Sequence, residues 1–125
     1  MRVLAAVAVA SSLGGLARYL IGGAVAVRSS GAFPWETFLV NITGAFVLGL
    51  LFTLFTDALA VAPWLRSALL VGFLGSYTTF STWTLESYRL LEDGAHGYAL
   101  ANLLGGLVAG MLATYAGVVV GRVAA

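Results

Sequence analysis

Four long apolar runs, parted by breaks of only a few residues, set the terms on which this chain folds. They cover about 3–27, 35–59, 64–91 and 98–123. Roughly 20 apolar residues cross a hydrocarbon core of about 30 Å, so each run is long enough to span a membrane. Trp35, Trp64 and Tyr98 stand at run starts, where aromatic side chains mark the membrane–water interface. Composition agrees: of 125 residues 61% are hydrophobic and 9% charged, too few charges to coat a water-soluble domain. The sequence predicts an all-α, multi-pass membrane protein whose residues 1–125 form a single four-helix transmembrane domain. Met1-Arg2 and the run into Ala8-Val9-Ala10-Ser11 imitate a cleavable leader. Cleavage there would discard a segment whose second half, 14–27, is itself apolar, so four spans is the expectation.

Several functions are excluded by what the chain lacks. It has no cysteine and no lysine, and its one histidine is His96, read as a solvated loop residue. Disulfides, thiolate chemistry and Cys-based metal sites are therefore out. No nucleophile–base pair or ligand cluster is present, and no enzyme is expected. Five acids against six arginines leave no basic surface for nucleic acid.

Inside the third run, residues 72–83 read GFLGSYTTFSTW, with Gly75, Ser76, Tyr77, Thr78 and Thr79 in succession. Irregular backbone at membrane depth is tolerated only where protein buries it or water borders it. Broken helices are used there to hold ions. A break in the third helix, at the working centre of an ion pathway, is the expectation.

Charge placement bears on topology. With four spans, Arg2, Arg66 and Arg122 fall on the side of the termini, and Arg28 and Arg89 on the other. That bias is small for a positive-inside signal. Either a single, weakly determined orientation or dual insertion, with antiparallel copies, fits it. Four short helices hardly enclose a pathway alone, which favours a dimer.

The candidate groups follow. Arg18 lies inside the first run, where a charge costs about 2.5–3.5 kcal/mol on insertion scales. It either snorkels to the interface or stands as a fixed positive charge at a vestibule. Asn41 offers two donors and an acceptor, for interhelical bonding or for an anion, and Thr37 is one turn earlier on its face. Phe80 and Trp83 are neighbours at helical spacing, and the electropositive edge of a ring can meet a dehydrated anion. Packing is the plain alternative. Thr79, Trp83 and Glu86 trace one face, Thr78 and Thr82 another, and Ser81 adds a hydroxyl. Glu86 would oppose an anion, handle a proton or pair with Arg89. In the fourth run Tyr98, Asn102, Gly106, Gly110 and Thr114 recur every four residues. Gly106-x-x-x-Gly110 predicts close helix contact, and the polar members could continue a track of hydrogen-bonding groups.

Gly15-Leu16-Ala17-Arg18-Tyr19, Asn41-Ile42-Thr43-Gly44-Ala45-Phe46 and the run 72–83 together resemble the Fluc (CrcB) family of fluoride channels. The resemblance covers nearly the whole chain, and Thr-Thr-Phe-Ser-Thr after a glycine-bearing break is its most specific part. It implies an antiparallel dual-topology homodimer in the cell (inner) membrane, with two pores per dimer. A structural Na⁺ would sit at the dimer centre on the backbone carbonyls of Gly75 and Thr78 from each subunit. The implied fluoride pathway takes in Arg18 at a vestibule, Asn41, Thr79, Phe80, Ser81, Thr82, Trp83, Glu86, Tyr98 and Asn102. Trp83 stands where the family has a second phenylalanine, and Gly106 lacks the hydroxyl of the family's polar track. Passive, fluoride-selective export is the implied function. A proton-coupled exporter of organic cations would want a carboxylate in the first span, where this chain has Arg18. A non-transporting membrane subunit with Gly-rich docking helices is the other alternative.

Overall fold

The computed structural model describes residues 1–125 and is helical throughout, without strands. Helix α1 is Arg2–Arg28, α2 is Trp35–Asp57, α3 covers 63–77, α4 is Phe80–Glu92 and α5 is His96–Ala124. Three of them, α1, α2 and α5, are long and apolar enough to cross a membrane. At 1.5 Å per residue they run about 35–44 Å. This is a multi-pass membrane protein. His96 is an exposed first residue of α5 rather than part of the preceding turn.

Local chemistry explains the punctuation. Pro63 opens α3 at its first position, where the absent N–H would have had no helical partner. Gly31 (φ 104°) and Gly94 (φ 75°) take the left-handed turns before α2 and α5, a conformation that side chains with a Cβ resist. Between α3 and α4, Thr78 (ψ 159°) and Thr79 (φ −148°) are extended. Two stretches, Ala68–Phe73 in α3 and Ala101–Gly105 in α5, are wound as π-helix, a feature that often marks functional sites.

Helix α1 packs along α3, α2 packs most extensively on α5, and α4 folds back against the start of α5. Small residues permit the closest approaches. A Cβ at Gly117 would collide with the carbonyl of Phe46, and one at Gly49 with that of Thr114. The close contact expected of Gly106 and Gly110 therefore lies further along α5, at Gly117 and Gly121. Gly110 has only the Ile42 methyl at 4.0 Å, and Gly106 faces the Trp83 ring.

Val40, Leu74 and Tyr77 form the buried core, with Ala17, Val47 and Phe73 packed around them. Only 17 of 125 residues are buried, and the outward faces are aliphatic, as suits a chain whose solvent is lipid. Several threonine hydroxyls bond within their own helix, Thr43 to the Leu39 carbonyl, Thr53 to that of Gly49 and Thr114 to that of Gly110. At one end of the bundle the Arg2 guanidinium lies 4.5 Å over the Trp64 ring, and Arg66 lies 5.2 Å from the Phe52 ring. The starts of α1 and α3 therefore share that end.

Candidate functional site

The extended pair Thr78-Thr79 is held from three sides. Asn41 Nδ2 donates to the Thr79 carbonyl at 3.0 Å, and the Thr79 N–H donates to Asn41 Oδ1 at 2.8 Å. In an unbroken helix that N–H would bond the Gly75 carbonyl, so α2 supplies what α3 gives up. From α1, Arg18 Nη1 donates to the Thr78 carbonyl at 3.4 Å. Within the chain, Thr79 caps α4: its Oγ1 accepts the Thr82 N–H at 3.3 Å and donates to Thr82 Oγ1 at 3.0 Å. Gly44 makes room for this on α2, since a Cβ there would collide with Thr78 Cγ2 and come within 3.1 Å of the Tyr77 ring. The Tyr77 hydroxyl is tied to Thr43 at 2.9 Å.

A cavity of about 450 Å³ opens beside this knot, with Asn41, Thr78, Thr79, Phe80, Trp83 and Gly106 among its lining. Phe80 and Trp83 lie with ring centroids 5.6 Å apart and planes inclined at 55°. The Phe80 ring is 74% exposed, so it is not held there by burial in this chain. Gly75 also lines the cavity.

Other residues singled out from the sequence lie elsewhere. Ser81 and Thr82 are exposed on the first turn of α4. Thr78 is outside the helix, so it shares no helical face with Thr82. Arg18 reaches the Thr78 carbonyl oxygen but is not among the residues lining the cavity. Asn102 is fully buried, its Nδ2 donating to Ser87 Oγ at 2.9 Å, and Ser87 in turn donates to the Trp83 carbonyl at 2.9 Å. Tyr98 is half-exposed, 6.3 Å from the Phe33 ring. Glu86 accepts from Thr37 Oγ1 at 2.8 Å and lines a second, more polar cleft with Glu36, Arg89 and Asp93.

Thr37 and Ser87 are the polar partners whose roles the sequence did not assign. Thr37 was visible only as a neighbour of Asn41 on one helix face, whereas its partner is 49 residues away. Ser87 is four residues after Trp83, a spacing that carries its own back-bond to the Trp83 carbonyl.

A family model described as "CrcB-like protein, Camphor Resistance (CrcB)" matches residues 5–118. The chain belongs to the CrcB family. This CrcB chain is 45% identical over 119 residues to the "Fluoride-specific ion channel FluC" of Magnetococcus marinus, covering 95% of this chain and 97% of that relative. It is 42% identical over 116 residues to the protein of the same name from Solibacter usitatus, covering 93% and 95%. A third such relative, from Citrifermentans bemidjiense, is 42% identical over 122 residues, 98% of both chains.

Proposed function

We propose that this protein is a fluoride-selective passive channel of the cell's inner membrane. The observation that carries the reading is the cavity in which an asparagine amide, a helix break and two aromatic rings meet, in a chain whose relatives are named fluoride-specific channels. The third run makes the fourth crossing in two halves, α3 and α4.

Fluoride holds its water tightly, so a dry path must replace that water with donors at each step. Asn41 uses one of its two Nδ2 protons on Thr79 and keeps the other for the cavity. Thr82 accepts from Thr79, which leaves the Thr82 hydroxyl proton free. The edges of Phe80 and Trp83 add electropositive C–H groups that meet an anion without trapping it. Arg18 contributes a fixed positive charge at the break, where it donates to the Thr78 carbonyl. Glu86 is held by Thr37 in the second cleft and stands apart from these donors.

The donor set around the break also fits a hard cation, which prefers oxygen ligands. The Gly75 carbonyl has lost the Thr79 N–H to Asn41, and the Thr78 carbonyl has lost the Thr82 N–H to Thr79 Oγ1. These two oxygens would hold a Na⁺, together with their counterparts in an antiparallel second copy. Bound there, the ion would offset the freed carbonyl charge and join the subunits, one pathway running on each side. The exposure of Phe80 and of the cavity supports a dimer, because one chain leaves that wall open.

The test is efflux from liposomes followed with fluoride- and chloride-selective electrodes. Rapid fluoride release without chloride release is expected. A folded, reconstituted protein that releases neither ion would overturn the reading.

A further inference from the structure

We infer that Gly106 and Trp83 form a size-matched pair that sets the width and the chemistry of the cavity's aromatic wall. The inference rests on the fluoride reading above for its link to conduction, and on geometry for the pair itself. A Cβ at Gly106 would stand 2.9 Å from Trp83 Nε1, 3.3 Å from Cε2 and 3.5 Å from Cζ2. The nitrogen edge of the indole lies against bare helix backbone, in space that any other residue at 106 would fill. Both residues line the cavity next to Phe80.

The indole N–H is not available to the ion. It donates to the Asn102 carbonyl at 2.9 Å, and that oxygen also accepts the Gly106 N–H within the helix. A carbonyl has two lone pairs, so both are in use. The second link between the helices, Asn102 Nδ2 to Ser87 Oγ, fixes α4 against α5 on the same side. The nitrogen end of Trp83 is thus turned into the protein, and the carbon edge of the ring is what remains for the pathway. Trp83 acts here as a bulky phenylalanine whose polar atom is spent on positioning it, and Gly106 is the residue that admits the extra bulk.

The test compares four proteins: the natural chain, Gly106→Ala, Trp83→Phe and the double variant. Fluoride efflux is expected to fall about tenfold or more in Gly106→Ala, where the indole must shift. In the double variant it should return to within about twofold of Trp83→Phe. Unchanged efflux in Gly106→Ala, or no recovery in the double variant, overturns the pair. A second readout does not depend on conduction. With ¹⁵N-labelled tryptophan, the indole signal missing from Trp83→Phe belongs to Trp83. It should resist exchange with D₂O in the natural chain and lose that protection in Gly106→Ala. Rapid exchange in the natural chain overturns the proposal. A natural chain that is silent for fluoride but protected at Trp83 overturns the fluoride reading and the pair's role in conduction, while the packing itself stands.

Discussion

Asn41 and Thr79 exchange both of their amide hydrogen bonds, side chain to backbone, at 3.0 and 2.8 Å. A side-chain amide is suited to this, because it presents a donor and an acceptor in one plane. The extended conformation at Thr79 therefore has a complete partner 38 residues away.

Asn41→Asp keeps the acceptor and replaces the donor with a second oxygen facing the Thr79 carbonyl. The expected loss of stability is about 1–3 kcal/mol, and fluoride efflux should fall by about tenfold or more. Thermal unfolding in detergent and electrode efflux check the two parts. Normal conduction would reduce Asn41 to a structural tie.

Phe80→Ile removes a ring that is 74% exposed, so the fold should lose little. Fluoride efflux should drop by about tenfold with an unchanged size-exclusion profile, because the electropositive ring edge has gone. Efflux equal to that of the natural chain would remove Phe80 from the pathway.

Gly117→Val forces α5 away from the Phe46 carbonyl on α2. Overpacking of this kind costs about 1–3 kcal/mol, so the unfolding midpoint should fall. The same change at Gly23, which has nothing within 4 Å, serves as the control and should leave the midpoint nearly unmoved.

Thr37→Val takes away the hydroxyl on Glu86 Oε1, whose other oxygen is already buried without a partner. A loss of about 1–3 kcal/mol is expected. In the Glu86→Leu background the same Thr37 change should cost much less, and a double-mutant cycle reads the difference.

Much of this architecture was legible in the chain itself. The helices α1, α2 and α5 follow from runs of apolar residues, and the cluster of Gly75, Ser76, Tyr77, Thr78 and Thr79 has extended backbone only at its last two members, Thr78 and Thr79. Periodicity along one helix, however, carries nothing about which neighbour it meets. Four-residue spacing sets Asn102 in a polar stripe, yet it is fully buried against Ser87. Glu86 lay on the face of Thr79 and Trp83 by the same arithmetic, and its partner is Thr37 on another helix. The glycines of α5 gave the clearest limit. Gly106 and Gly117 look alike in sequence, but one admits a tryptophan ring and the other a backbone carbonyl.

The two extended threonines also give the third run an electrical polarity. Helix α3 ends at Tyr77 and α4 begins at Phe80, so only two residues separate the carbonyl end of one from the amide end of the next. Such ends carry about half a charge each, negative and positive. The two ends therefore present opposite partial charges two residues apart, each a fraction of a charge rather than a full one. For an ion of either sign, attraction of that size is reversible, and reversibility is what passage requires of any site.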